Sequence, residues 1–215
     1  MRTIVTILVM IFLAQATKAQ EAIFEITAGE IITKSKFIDK FPNGKFDNIT
    51  EHTFRDSYNL TNGNQSYTVK GYINEGWENE PGDWHYFEVI YNGQKIFNED
   101  YADGWNYLPQ ELKSQLSPCN NAFFYKDLGS DMIMLCLTGV TIMSEPPYLT
   151  IIILRNGKAT LVFNKRGEIS DIKKTEDELE FNLWTLYAEY GSDGQELSPG
   201  VNHTMTIKDG MIYYK

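Results

Sequence analysis

Two cysteines, three histidines and seven prolines are all that 215 residues contain of those types. Each scarcity excludes something. His52, His85 and His203 are widely scattered and no His-Glu-x-x-His occurs, so the usual helical zinc site is not written here. Cys119 and Cys136 lack the Cys-x-x-Cys spacing of a redox pair. Gly-x-Ser-x-Gly is missing, Ser130 and Ser144 have no pattern of partners that would make a nucleophile, and no Gly-rich phosphate loop opens a helix. Positive charge is short as well. Nineteen Lys and Arg stand against 29 Asp and Glu, a net charge of −10. The longest basic stretches, Lys165-Arg166 and Lys173-Lys174, are only pairs. Nucleic acid and anionic membrane surfaces require a basic footprint, so neither is an expected partner.

Long apolar runs are absent after the first segment; Tyr148–Leu154 is only strand-sized. The first segment is different. Met1–Ala19 carries Arg2, then an apolar run from Ile4 to Ala14 broken only by Thr6, then the small residues Thr17 and Ala19 before Gln20. That order is the layout of a secretory signal peptide, and the run is shorter than the roughly 20 residues a spanning helix needs. The expectation is a secreted or periplasmic protein with residues 1–19 removed and no membrane insertion afterwards. Loss of Arg2 and Lys18 takes the net charge to about −12, a value that favours solubility. Residues 20–215 then read as a single β-rich domain, with two similar β units, about 20–118 and 119–215, as the alternative. In an oxidising compartment Cys119 and Cys136 invite a disulfide, which would contribute about 3 kcal/mol in the chain-entropy treatment.

What the chain has in quantity is aromatic: 13 Tyr, 12 Phe and 4 Trp, punctuated by Asn and Gly, a composition of strands and tight turns. Asn43-Gly44, Asn92-Gly93, Asn156-Gly157 and Asp209-Gly210 are hairpin signals, with Asn62-Gly63 a further one on weaker flanks. Tyr67–Ile73 alternates, with Tyr67, Val69 and Gly71 opposite Thr68, Lys70 and Tyr72. Ile151–Leu154 is apolar on both faces, which predicts a central strand. Two short helices are expected, Pro109–Leu116 and Glu176–Tyr190. The second has a Thr175/Glu178 capping box, and against it stands the alternation of Leu179, Phe181 and Leu183. The fold class is therefore mainly β with a minor α+β character: an antiparallel β-sandwich or barrel with one or two short helices.

One stretch carries the candidate site. Glu75–Tyr107 holds eight acids, one lysine and three of the four tryptophans. An aromatic ring stacks on the apolar face of a sugar, and a carboxylate accepts its hydroxyl protons. Trp77, Trp84, Tyr86, Trp105 and Tyr107, with Glu78 and Asp83, are therefore the expected contacts of a non-catalytic binding module for a glycan (carbohydrate), peptide or partner protein. A secreted glycoside hydrolase using two of Glu78, Glu80, Asp83 and Glu88 is the alternative, since that chemistry needs carboxylates roughly 5–9.5 Å apart. A structural envelope protein joining through strand edges is the third reading. No cofactor is expected. Calcium is the one ion the pattern allows, through Asn98–Gly104, which places oxygens before a glycine without the regular spacing or the distant Glu of a calcium loop. Asn48, Asn59, Asn64 and Asn202 head Asn-x-Ser/Thr sequons.

Overall fold

A computed structural model describes residues 21–25, 52–76, 84–105, 117–118, 123–128, 132–139, 145–175, 178–208 and 211–214. Among them there is no helix, and every strand pairing is antiparallel. The first strand, β1 (Glu21–Glu25), pairs with the last, β16 (Met211–Tyr214). Between them the chain lays down three sheets. The first is a meander of β2 (His52–Asn62), β3 (Gln65–Asn74), β4 (Trp84–Tyr91) and β5 (Gln94–Trp105). The second continues through β6 (Ser117–Pro118), β7 (Phe123–Asp127), β8 (Met132–Thr138), β9 (Tyr148–Arg155) and β10 (Lys158–Arg166). The third has the order β1, β16, β15 (Val201–Lys208), β12 (Glu178–Leu186), β11 (Glu168–Lys174). A small hairpin of β13 (Glu189–Tyr190) and β14 (Glu196–Ser198) interrupts the path from β12 to β15.

The turn chemistry works as its sequence predicts. Asn92 and Gly93 have φ of 50° and 77°, and Asn156 and Gly157 have 49° and 73°. Positive φ at both residues is what a two-residue hairpin loop with matching twist demands. Lys208 pairs with Met211, so the chain also reverses across Asp209-Gly210, whose own residues lie outside the described set, as do Asn43-Gly44.

The second sheet is the middle layer of a sandwich. On one face Ile133, Leu135, Leu137, Ile152, Leu154 and Leu161 pack with the first sheet's Val69, Trp84, Phe87 and Trp105. On the other, Met134, Cys136, Ile151, Ile153 and Phe163 pack with the third sheet's Phe181, Leu183, Met205 and Ile207. That is why Ile151–Leu154 carries no polar alternation: both faces of β9 are buried. In β10 the register shifts between Leu161 and Phe163, so the consecutive Val162 and Phe163 face the same core. Inside β9 and β10 Thr150 Oγ1 donates to Asn164 Oδ1 at 2.7 Å, while the buried Asn164 Nδ2 has no side-chain or backbone acceptor among the described residues.

Three expectations fail or fall outside. The described part of Glu176–Tyr190, residues 178–190, is not a helix. Its period-two set Leu179, Phe181 and Leu183 faces the middle sheet from β12, with β11 and β15 hydrogen-bonded on either side. The capping-box residues serve a hairpin instead, with Thr175 N donating to Glu178 O at 2.9 Å. Burial on a sheet and two paired edges outweigh a local helix signal. Pro109–Leu116 lies outside the described residues. Nor is the cysteine bridge seen among the described residues. Cys136 is a free thiol, wholly buried in β8, where desolvation pushes its pKa well above the usual thiol range; Cys119 lies outside them.

The hairpin loop at Asn156-Gly157 also ties two layers together. Gly157 N donates to Tyr67 OH at 3.0 Å, and a Cβ there would sit 2.5 Å from the Tyr91 ring. Gly157→Ala is expected to lower stability by about 1–3 kcal/mol, from positive φ and overpacking together. Urea denaturation of the variant measures it; a loss under about 0.5 kcal/mol would show the contact to be loose.

Candidate functional site

The tryptophans of the candidate stretch do not form a surface. Trp84 and Trp105 are both 0% exposed and belong to the core between the first and second sheets. Trp84 is fixed there: its ring lies against Gly71, and its Nε1 donates to Asp56 Oδ1 at 2.6 Å. These two residues are core, a correction to their expected role as ligand contacts. Indoles of this size carry more stabilisation inside a sandwich than outside it. Trp77, Glu78, Glu80, Asp83 and Tyr107 lie outside the described residues. Asn98–Gly104 lies within β5: Asn98, Glu99 and Asp100 pair with Glu88, Phe87 and Tyr86 of β4, and residues 101–104 fall in the register shift before Trp105. Among the described residues no three of His, Cys, Asp and Glu are placed to hold a metal.

Tyr86 lies half-buried in a row of side chains on one face of the first sheet. The outward face of the first sheet carries one cross-strand row, Phe54, Tyr72, Tyr86 and Asp100, on four adjacent strands. The next row out is Ser57, Lys70, Glu88 and Asn98. Phe54 is 54% exposed, while Tyr72 and Tyr86 are half-buried. Phe54 meets Tyr72 edge-on with ring centres 5.8 Å apart, and Tyr72 meets Tyr86 at 5.4 Å. His52 stacks on Tyr86 at 4.6 Å, nearly parallel, and its Nδ1 lies 2.9 Å from Asn74 Oδ1. These separations are the ones at which aromatic pairs attract.

Glu88 organises the polar half of this face. Tyr86 OH donates to its Oε1 at 2.9 Å and Tyr72 OH to its Oε2 at 3.1 Å. Lys95 Nζ donates to Oε1 at 3.2 Å and to Tyr86 OH at 3.3 Å. Partial burial pushes the Glu88 carboxyl up, but the hydrogen bonds from Tyr86, Lys95 and Tyr72 outweigh it and the pKa lies below the usual value. Burial first and Glu88 second push the phenols of Tyr72 and Tyr86 up. The carboxylate is thereby kept ionised and the phenols protonated. That suits accepting and donating hydrogen bonds rather than acting as a proton donor of raised pKa in glycoside hydrolysis.

A pH dependence follows with a definite sign. The Glu88 carboxyl has a lower pKa folded than unfolded, so its contribution is present above the ordinary value of 4.5 and fades as pH falls through the folded value. The phenols have raised folded values, so theirs is present below 10.0 and fades as pH rises through the folded value. The stability difference between wild type and Glu88→Gln is expected to be largest between those limits and to shrink on acidification. Denaturation at stepped pH measures it, and a difference that grows in acid would contradict the network.

Sequence reasoning missed His52, Phe54, Tyr72 and Lys95 as parts of one surface. The signal existed in β3: Tyr72 falls on the polar side of the alternation, with Thr68 and Lys70. A large aromatic on the solvent side of a strand is the informative exception. No protein-family model matches the chain, and neither a curated protein nor a solved structure does.

Proposed function

We propose that the chain is an exported, non-catalytic binding module and that the outward face of its first sheet takes a neutral glycan. The supporting observation is the row Phe54–Tyr72–Tyr86 flanked by Glu88, Lys70, Lys95 and Asn98. The rings offer apolar contact to sugar C–H groups. The carboxylate, amide and ammonium groups beside them offer acceptors and donors to hydroxyls, so a polyhydroxylated ligand need leave few groups unsatisfied. The rings are tilted against each other rather than coplanar, which favours a single soluble chain over a flat crystalline surface. Export rests on the layout of residues 1–19.

The test is an array of neutral oligosaccharides probed with the mature protein and with Phe54→Ala and Tyr86→Ala. Binding is expected to at least one oligosaccharide, weakened about tenfold or more in each variant, with melting temperatures within a few degrees of wild type. Retention of full affinity in both variants would refute the assignment.

A further inference from the structure

The third sheet carries a second, unrelated recess. It opens beside β11 and β12, where the chain leaves for the β13–β14 hairpin, and has a volume of about 400 Å³. Trp184, Tyr187 and Tyr190 line it, with Glu168 and Ser170 as its polar contributors. Trp184 and Glu168 are cross-strand partners, so the indole and the carboxylate are held side by side. Tyr187 donates its hydroxyl to Glu168 Oε2, which orients the carboxylate. Behind the indole the chain passes closely: a Cβ on Gly200 would lie 3.2 Å from Trp184 Cζ3 and 2.9 Å from Leu186 O. The recess is therefore formed before any ligand arrives, and its size is that of a small-molecule site.

Its chemistry differs from that of the first sheet. Three aromatic side chains and one carboxylate surround the space, and none of the described residues lining it is cationic. A sugar would find too few partners for its hydroxyls, each of which costs about 1–3 kcal/mol if buried unpaired. An anion would meet a carboxylate on a chain of net charge −10. A quaternary ammonium has no hydrogen-bond donor to satisfy, presents methyl groups to ring faces, and carries the charge that aromatic quadrupoles and a carboxylate attract. We infer that this recess binds a trimethylammonium group, with Trp184, Tyr187 and Tyr190 as its walls and Glu168 as its counter-charge. This site is independent of the glycan face, and either can fail alone.

The experiment is calorimetric titration of the mature protein with choline and with 3,3-dimethylbutan-1-ol, which has the same shape without the charge. Choline is expected to bind, and the neutral compound to bind about tenfold more weakly or not at all. Glu168→Gln is expected to reduce choline affinity severalfold while leaving the neutral compound unaffected. Tyr190→Ala, at a side chain 62% exposed and so harmless to folding, is expected to weaken choline binding too. Equal affinity for the two compounds, or no choline binding at about 10 mM, would overturn the assignment. Sedimentation with phosphatidylcholine vesicles distinguishes the source of the group. Co-sedimentation released by free choline points to a lipid headgroup. Choline binding with the protein left in the supernatant points to a soluble cation.

Discussion

Trp84→Ala is expected to lower the free energy of unfolding by about 3–5 kcal/mol, the range for emptying a fully buried large aromatic site. The side chain is 0% exposed, and it fills the space over Gly71 between the first and second sheets. Its loss opens a cavity that the pairing of β3 with β4 prevents from collapsing. It also takes away the 2.6 Å hydrogen bond to Asp56, a half-buried carboxylate on β2. Trp84→Phe keeps most of the apolar volume and loses only the N–H, so its effect is expected to be intermediate. Guanidinium denaturation gives both values. A surface tryptophan would lose about 0.5 kcal/mol or less, and that result would return Trp84 to the list of ligand contacts.

Gly71→Ala is expected to be nearly as damaging, and its dependence on Trp84 is the sharper test. An ideal Cβ on Gly71 would lie 1.8 Å from Trp84 Cε2 and 2.1 Å from Cδ2 and Nε1. The indole cannot swing aside without giving up Asp56 and its place among Val69, Phe87 and Trp105. Overpacking of this severity costs about 3 kcal/mol or more. In the Trp84→Ala background the same methyl group enters vacated space, so most of its penalty disappears. The two changes are expected to be non-additive by about 1–3 kcal/mol, whereas independent sites add within about 0.5 kcal/mol. Additivity would mean that the backbone, not the indole, determines the requirement for glycine.

Much of this architecture could be read from residue order. Asn92-Gly93 and Asn156-Gly157 announce their hairpins because few other residue pairs tolerate two successive positive φ values. Ile151–Leu154 announces a strand buried on both faces, although not the three-layer stack that buries it. The segment from Glu176 onward was ambiguous for a physical reason: its leucines satisfy both the four-residue and the two-residue period, and only its pairing with β11 and β15 decides between them. The candidate site was half legible. Aromatic and acidic density pointed to the first sheet, but composition says nothing of which way a ring faces. Trp84 pairs with Trp105 and Tyr86 with Asp100, so β5 carries the extra residues of the irregularity there, and the indole lies inward while the phenol lies on the outward face. Phe54 and His52 come from a strand about thirty residues upstream, and only the β2–β3–β4 register brings them beside Tyr86.

Placing the ligand face on phenol, phenyl and imidazole rings of the first sheet, rather than on its indoles, is what the functional account stands on. Titration of the ¹⁵N-labelled mature protein with the neutral oligosaccharides tests this directly. Amide shifts are expected to cluster at Phe54, Tyr72, Tyr86 and Glu88 and to leave the third sheet unmoved. Shifts centred on any other sheet, or none from any oligosaccharide, would contradict it.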